Sequence, residues 1–326
     1  PPPPPPPPPP TPTLFESSAA SDVYKRQTFD RARSPLEVDA ALSFGTFPDD
    51  DHRAFAEVQR SVPIDLEHGP LVRVHAGSGA DGGTEVLIAL HHAIVDAETF
   101  DLLWDEVDRA YYGRPLPELA TSVAAHGVWQ RGRVGSSTGF WSERRGALPD
   151  AEPAQLPTPA APEADGLLRV DAAVSTSELA ATGTTPFAAA LAAAGIALRG
   201  FSRTGHVELG ATASLKDHPD VAPLIGYFLN SLPITVHADG EATIHDIVMD
   251  AGRIVAETLP HRAYPYSRMV ADARRAGERP PDISLFLAYQ RLAPASFGST
   301  AAHHEILPSG VSIGDLSLSV EERGES

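Results

Sequence analysis

Residues 85–90 read EVLIAL, and this apolar run empties directly into His91, His92, Ala93, Ile94, Val95 and Asp96. A run of that length and character suits a strand buried on both faces. From Ala97 to Tyr111 the apolar residues Phe100, Leu103, Trp104, Val107 and Tyr111 recur at the spacing of one helical face. The unit is strand, turn, helix, so the chain must pack a sheet against helices. The paired histidines fall on the turn. An imidazole held between two rigid elements meets a ligand at a fixed angle, and its ordinary pKa of about 6.5 lets it accept a proton near neutrality. The spacing alone leaves three readings open: a catalytic imidazole, histidines satisfied within the turn, and metal ligands. Adjacent strand residues point to opposite faces, so His91 and His92 do not share one metal ion, and no metal site is expected.

The rest of the body follows the same alternation. A helix is expected over residues 51–61, strands near 71–76 and 85–90, and a hairpin loop at residues 80–84, ADGGT. Residues 151–163, AEPAQLPTPAAPE, place four prolines in a short polar stretch and read as a linker. Beyond it, residues 167–174 and 206–213 read as strands, and 184–199 as an alanine-rich helix with Pro186 in its first turn. Ile244, Ile247, Val248, Ala251, Ile254 and Val255 share a helical face. Residues 283–289 and 316–320 close the pattern as strands. Strands interleaved with helices in both halves define an α/β (α+β) chain.

With 326 residues and 42% hydrophobic content the chain can bury a large core, a length that usually forms two domains or lobes. The division expected is a leader over 1–27, an N-terminal lobe over 28–150, the linker at 151–163, and a C-terminal lobe over 164–326. Ten consecutive prolines open the chain and lead into TPTLFESSAASDVYKRQ. Polyproline favours an extended helix without internal hydrogen bonds. SAASDVYKRQ is similar to translated adapter sequence, so residues 1–27 read as a disordered or artefactual leader outside the fold. A net charge of −18 with no basic cluster argues against nucleic acid as a partner. No stretch of about eighteen apolar residues offers a membrane span. The chain has no cysteine, which rules out disulfides and thiolate chemistry and suits a cytoplasmic location.

Several blocks in fixed order carry a family resemblance. HHAIVDAET, at residues 91–99, resembles the HHxxxD signature of nonribosomal peptide synthetase condensation domains, relatives of chloramphenicol acetyltransferase. In that signature a glycine follows the aspartate and a serine or threonine stands two places later; Ala97 replaces the glycine here. PIDLEHGPLVRV at 63–74 is similar to the family's upstream segment, and LIGYFLNSLPI at 224–234 to its isoleucine-glycine-x-phenylalanine-valine-asparagine-threonine block. HGVW at 126–129, FW at 140–141, HRAYPY at 261–266 and DLSLSVEERG at 315–324 follow in the expected order. The resemblance runs from about Val38 to the end. Relative to the family, the first lobe's opening strand and early helices and the last strand and helices are absent, so the chain reads as truncated at both ends.

The resemblance implies two chloramphenicol acetyltransferase-like lobes in a V with a tunnel between them. It places His92 in that tunnel, beside the amine of one carrier-bound substrate as it attacks a thioester on another. His91 and Asp96 are then supports. In the family the aspartate pairs with an arginine of the other lobe; here that position, in the segment GATASLKDHP, carries Lys216, which keeps the charge and loses the bidentate fork. Ala97 and Asn230 are candidates for the tunnel or the lobe interface, and a buried amide satisfying neighbouring backbone is an equal reading of Asn230. His303 and His304 read as solvated loop, and Tyr264 to Tyr266 as packing for the helix that follows. The implied activity is amide formation between an acyl or peptidyl thioester and an aminoacyl thioester. Both arrive on the 4'-phosphopantetheine arms of donor and acceptor peptidyl carrier proteins, with an adenylation domain adjacent and no cofactor held by the domain itself. An ester-forming acyltransferase and a noncatalytic carrier-docking module remain the alternatives.

Overall fold

The computed structural model describes residues 40–46, 62–78, 84–147, 183–238, 240–283, 285–292, 296–298, 300–301 and 314–323, together with Phe55, Val58, Gln59 and Leu156. The expected strand at 167–174, the leader, His303 and His304 lie outside the described residues, as does nearly all of the linker. The N-terminal half holds strands β1 (Ala40–Thr46), β2 (Val72–Ser78) and β3 (Thr84–Leu90), then helices α1 (Ala97–Tyr111), α2 (Val123–Arg133) and α3 (Thr138–Ala147). The C-terminal half holds α4 (Pro186–Leu198), β4 (His206–Ser214), β5 (Leu229–His237), α5 (Ile244–Thr258), α6 (Tyr266–Ala276), β6 (Leu285–Leu292), the short β7 (Ser296–Phe297) and β8 (Thr300–Ala301), and β9 (Leu316–Arg323). The chain is a mixed α/β structure.

Two principal sheets organise it. The first has the order β1-β2-β3, with β2 and β3 antiparallel from Val72↔Leu90 to Ser78↔Thr84 and β1 parallel to β2. Strands β2 and β3 lie where the apolar runs place them, whereas β1 has no such signal in the sequence. AALSFGT lacks a clear alternation, and its pairing with β2 is a parallel one that no tight turn announces. The second sheet has the order β5-β4-β6-β9, antiparallel between β4 and β5 and parallel elsewhere.

Local chemistry fixes the helix starts. Thr185 caps α4 through a bond from the Ala188 N–H, and Pro186 takes the first helical position, where no N–H is needed. Thr243 and Asp246 form a reciprocal capping box on α5. Gly277, at φ 71°, ends α6 in the left-handed region that favours glycine. The larger core lies between the second sheet and α4, α5 and α6, with Leu191, Leu209, Ile234, Ile247, Ile254, Met269, Leu285 and Leu287 almost fully buried. Gly195 allows α4 to approach β5, since a Cβ there would overlap the side chain of Val236. Ile244, which falls on the apolar helical stripe, is instead 70% exposed at the first turn of α5.

Helices α2 and α3, which sequence patterning did not outline, bind the first half to the second. Trp141 of α3 is buried in the larger core and its indole N–H donates to the His261 carbonyl at 3.2 Å. Phe140 stacks on the His261 ring at 3.9 Å, and Gln130 of α2 donates to the Ala263 carbonyl. Tyr264 is buried in the same core, as expected of a packing residue.

Candidate active site

Strand β3 ends at Leu90, and a 3-10 turn spans His92–Ile94 before α1 begins. The two adjacent imidazoles are held in opposite tautomers. The Nδ1 of His91 accepts the Ala93 N–H at 3.0 Å, so its ring carries any single proton on Nε2. Burial, with the neighbouring His92, pushes the His91 pKa down and keeps this ring neutral. The Nδ1 of His92 lies 2.7 Å from the Val95 carbonyl oxygen. A carbonyl oxygen only accepts, so this nitrogen carries the proton and donates. The neutral His92 ring therefore keeps the lone pair on Nε2. His92 is exposed and His91 is half-buried, so the ring with the available Nε2 is the one open to a ligand.

Asp96 is 1% exposed and caps α1. Its Oδ1 accepts the Thr99 N–H at 3.0 Å and the Thr99 hydroxyl at 2.7 Å, and its Oδ2 accepts the Phe228 N–H at 2.7 Å. The position before the first helical residue places this carboxylate at the positive end of the helix dipole. The Oγ1 of Thr99, fully buried, also lies 2.8 Å from the Gly226 carbonyl, so its one proton is shared between that oxygen and Asp96, and it accepts the Gly226 N–H at 3.4 Å. Gly226 leaves no space for a side chain, because a Cβ would meet the Phe228 ring at 2.8 Å. The histidine turn and the 226–228 segment of the opposite half are thus joined through buried polar groups. Three more contacts run beside this seam. Ser214 donates to the Glu98 carboxylate at 3.0 Å, His126 meets the Phe228 ring at 5.2 Å, and His92 stands at 77° to Tyr227 with ring centroids 5.4 Å apart.

Lys216 is not the ion-pair partner of Asp96, which corrects the role transferred to it from the family's arginine. Its ammonium donates to the Ala222 carbonyl at 3.4 Å and lies 5.2 Å from the centre of the Phe228 ring. Burial pushes its pKa down while the Asp96 and Glu98 carboxylates hold it up, so it acts on the turn through space. Asp96 already has three donors, which leaves a fourth little purchase. Asn230 is engaged with backbone. Its amide donates to the Arg262 and Tyr264 carbonyls at 2.8 and 2.7 Å and accepts the Tyr266 N–H at 3.1 Å, so of its two readings the structural one describes its contacts. Ala97 is the half-buried first residue of α1. Sequence reasoning assigned no role to Thr99, Tyr227 or Ser214; the signature threonine and the LIGYFLNSLPI block were the available signals.

A second unusual carboxyl lies away from this turn. Glu208 of β4 is 6% exposed, in a crevice lined by Trp141, Arg144, Pro233, Thr235, Met269 and Pro281, and its Oε1 has no hydrogen-bond partner. Burial pushes its pKa up to about 7, against a bond from the Asp282 N–H and the charge of Arg279.

Buried bonds tie the turn after β3 to the 226–228 segment ahead of β5, and an exposed histidine of fixed tautomer stands beside that junction in a mixed α/β chain. The chain belongs to the condensation-domain family, whose profile matches residues 25–313. That span begins earlier than the resemblance read from the motifs, and it ends just before β9. Among curated relatives, malpibaldin synthetase of Mortierella alpina is 26% identical over 252 residues, covering 70% of this chain and 4% of that protein. Phosphinothricin tripeptide synthetase of Streptomyces viridochromogenes is 29% identical over 231 residues, covering 65% and 21%. The chain thus spans a small part of the relatives it matches. Among solved structures, the X-domain from teicoplanin biosynthesis aligns with a TM-score of 0.68 at 16% identity, covering 89% of this chain and 70% of that one. The first condensation domain of the CDA synthetase aligns at 0.59 with 14% identity, covering 80% and 62%. These likenesses establish the shared fold.

Proposed function

We propose that this chain is the condensation segment of a nonribosomal peptide synthetase, joining an upstream acyl or peptidyl thioester to the amine of a downstream aminoacyl thioester. Each substrate is carried on the phosphopantetheine arm of a peptidyl carrier protein, and an adenylation domain that loads the acceptor belongs beside it. In this reading the two halves are the lobes of a V, and the substrates approach His92 from opposite mouths of the passage between them. The observation that carries the reading is the exposed His92 ring, whose Nδ1 is tied to the Val95 carbonyl and whose Nε2 is left to accept a proton.

The chemistry follows from that nitrogen. The neutral amine of the acceptor attacks the thioester carbonyl, and the nitrogen gains positive charge as the C–N bond forms. Nε2 takes the proton that this nitrogen must lose. The tetrahedral intermediate then expels the pantetheine sulfur, which leaves as a thiol once the imidazolium returns the proton. Atoms and charge balance without a metal or a redox partner. Holding two tethered substrates end to end supplies a further part of the acceleration.

The test is single-turnover product formation with loaded donor and acceptor carriers. His92→Ala is expected to slow amide formation by about a hundredfold or more, the scale of a lost general base. Equal product from both proteins would remove the catalytic reading, and carrier binding without product would favour a docking module. An alcohol acceptor offered in parallel separates ester from amide synthesis.

A further inference from the structure

His92 is constrained on two sides. The Val95 carbonyl holds Nδ1, and the ring of Tyr227 stands nearly perpendicular to the imidazole, 5.4 Å away between centroids. Tyr227 comes from the opposite half, in the turn between Gly226, which Thr99 grips, and Phe228, whose N–H is bound by Asp96. The backbone on both sides of Tyr227 is therefore fixed by residues of the same turn-and-helix unit that carries His92. The Tyr227 Cα is thereby held at a fixed distance from the turn, and a perpendicular aromatic pair is a favoured, directional contact. One hydrogen bond to a carbonyl leaves an exposed imidazole free to swing about its remaining torsion. A second wall removes that freedom. Burial and the nearby Asp96 carboxylate push the Tyr227 phenol up, so it stays neutral and adds no charge beside the base.

We propose that Tyr227 is a positioning residue that holds His92 in the rotamer in which the Val95 carbonyl sets its tautomer, so that the halves must be docked for Nε2 to face the acceptor. The inference rests on the proposed role of His92 for its effect on turnover, but its structural content stands apart from that role. The required contact is the aromatic wall rather than the hydroxyl. Because the wall belongs to one half and the imidazole to the other, opening of the seam releases the base and closure of the seam aims it.

The experiment uses the full chain with isotope-labelled histidine. In the wild type, the His92 nitrogens are expected to show a protonated Nδ1 and an unprotonated Nε2. Tyr227→Phe should preserve that pattern and turn over within about twofold of wild type, since the ring is retained. Tyr227→Leu, which keeps apolar bulk without the ring, should average the two nitrogens. It should also lower kcat by about tenfold or more, with KM within about twofold, the signature of lost orientation rather than lost binding. Tyr227→Met repeats the test if the leucine variant does not fold. An ordered wild-type tautomer in both aliphatic variants would overturn the proposal, as would a phenylalanine variant as impaired as they are. Full turnover by His92→Ala would sink the proposed function while the nitrogen spectra still decided the case for Tyr227.

Discussion

The Asp96 carboxylate accepts the backbone N–H of Phe228 at 2.7 Å, across the seam between the two halves of the chain and out of reach of water. The same carboxylate caps α1 and holds the Thr99 hydroxyl, so one buried anion joins the start of the helix behind His92 to the opposite half. An unmet donor in such a site costs its full desolvation.

Asp96→Asn should therefore be strongly destabilising. A carboxamide accepts through one atom only, so its NH₂ must face either Phe228 or Thr99, donor against donor. A loss of about 3 kcal/mol is expected, read as a lowered urea midpoint at unchanged m-value. Thr99→Val, which removes the hydroxyl bonds to Asp96 and Gly226 at constant shape, should cost about 1–3 kcal/mol, and Thr99→Ser should recover most of it. Near-wild-type midpoints for Asp96→Asn and Thr99→Val would show that the seam is held by packing instead.

Lys216 gives the opposite expectation. Because it contacts the Ala222 carbonyl and the Phe228 ring and makes no ion pair with Asp96, Lys216→Met should cost about 1 kcal/mol or less. A penalty of about 3–5 kcal/mol, the scale of a broken buried pair, would contradict the geometry. Thermal unfolding of the two proteins side by side decides it.

Asn230→Ala removes an amide whose three bonds hold residues 262–266 against β5. About 2–3 kcal/mol of stability should be lost. Turnover per folded molecule should stay close to wild type, because none of these bonds reaches His92. A large fall in kcat at full folding would return Asn230 to the site.

Glu208 makes stability depend on pH. Its carboxyl has an ordinary value of 4.5 and is pushed up to about 7 in the fold. Between those values the folded chain holds a proton that the unfolded chain has released, so the Glu208 contribution to stability is fully present below about 4.5, is lost as pH rises to about 7, and is level above it. The full decrement is about 3 kcal/mol at most. Glu208→Gln should flatten this part of the profile and exceed wild type in stability at pH 8, as followed by denaturation midpoints from pH 5 to 8. Parallel profiles for the two proteins would refute the assignment.

Much of the local structure was legible without coordinates, for reasons of short range. EVLIAL forms a strand that ends at a turn, although Val86 is 44% exposed and none of residues 85–90 is fully buried, against the expectation of burial on both faces. Asp96 is a capping residue ahead of a one-faced apolar stripe, and Thr185 with Pro186 marks a helix start. The pairing of β1 with β2 was not legible, because a parallel partner more than twenty residues away leaves no turn signal. Glu208 falls inside the strand expected over 206–213 and no local pattern singles it out; only the packing of Trp141 and Met269 around it makes it a buried acid.

Local sequence placed β2, β3, α1, α4 and α5 and the residue types at the turn after β3, since caps, periodicity and side-chain chemistry act over a few positions, but it gave no signal for β1, α2 or α3. The tertiary structure alone decided that Asp96 binds the backbone of Phe228 rather than Lys216, that Asn230 serves the 262–266 segment, and that Tyr227 walls His92. Those outcomes depend on contacts between residues more than thirty, and mostly more than a hundred, positions apart, where geometry after folding selects among partners that are chemically equivalent along the chain.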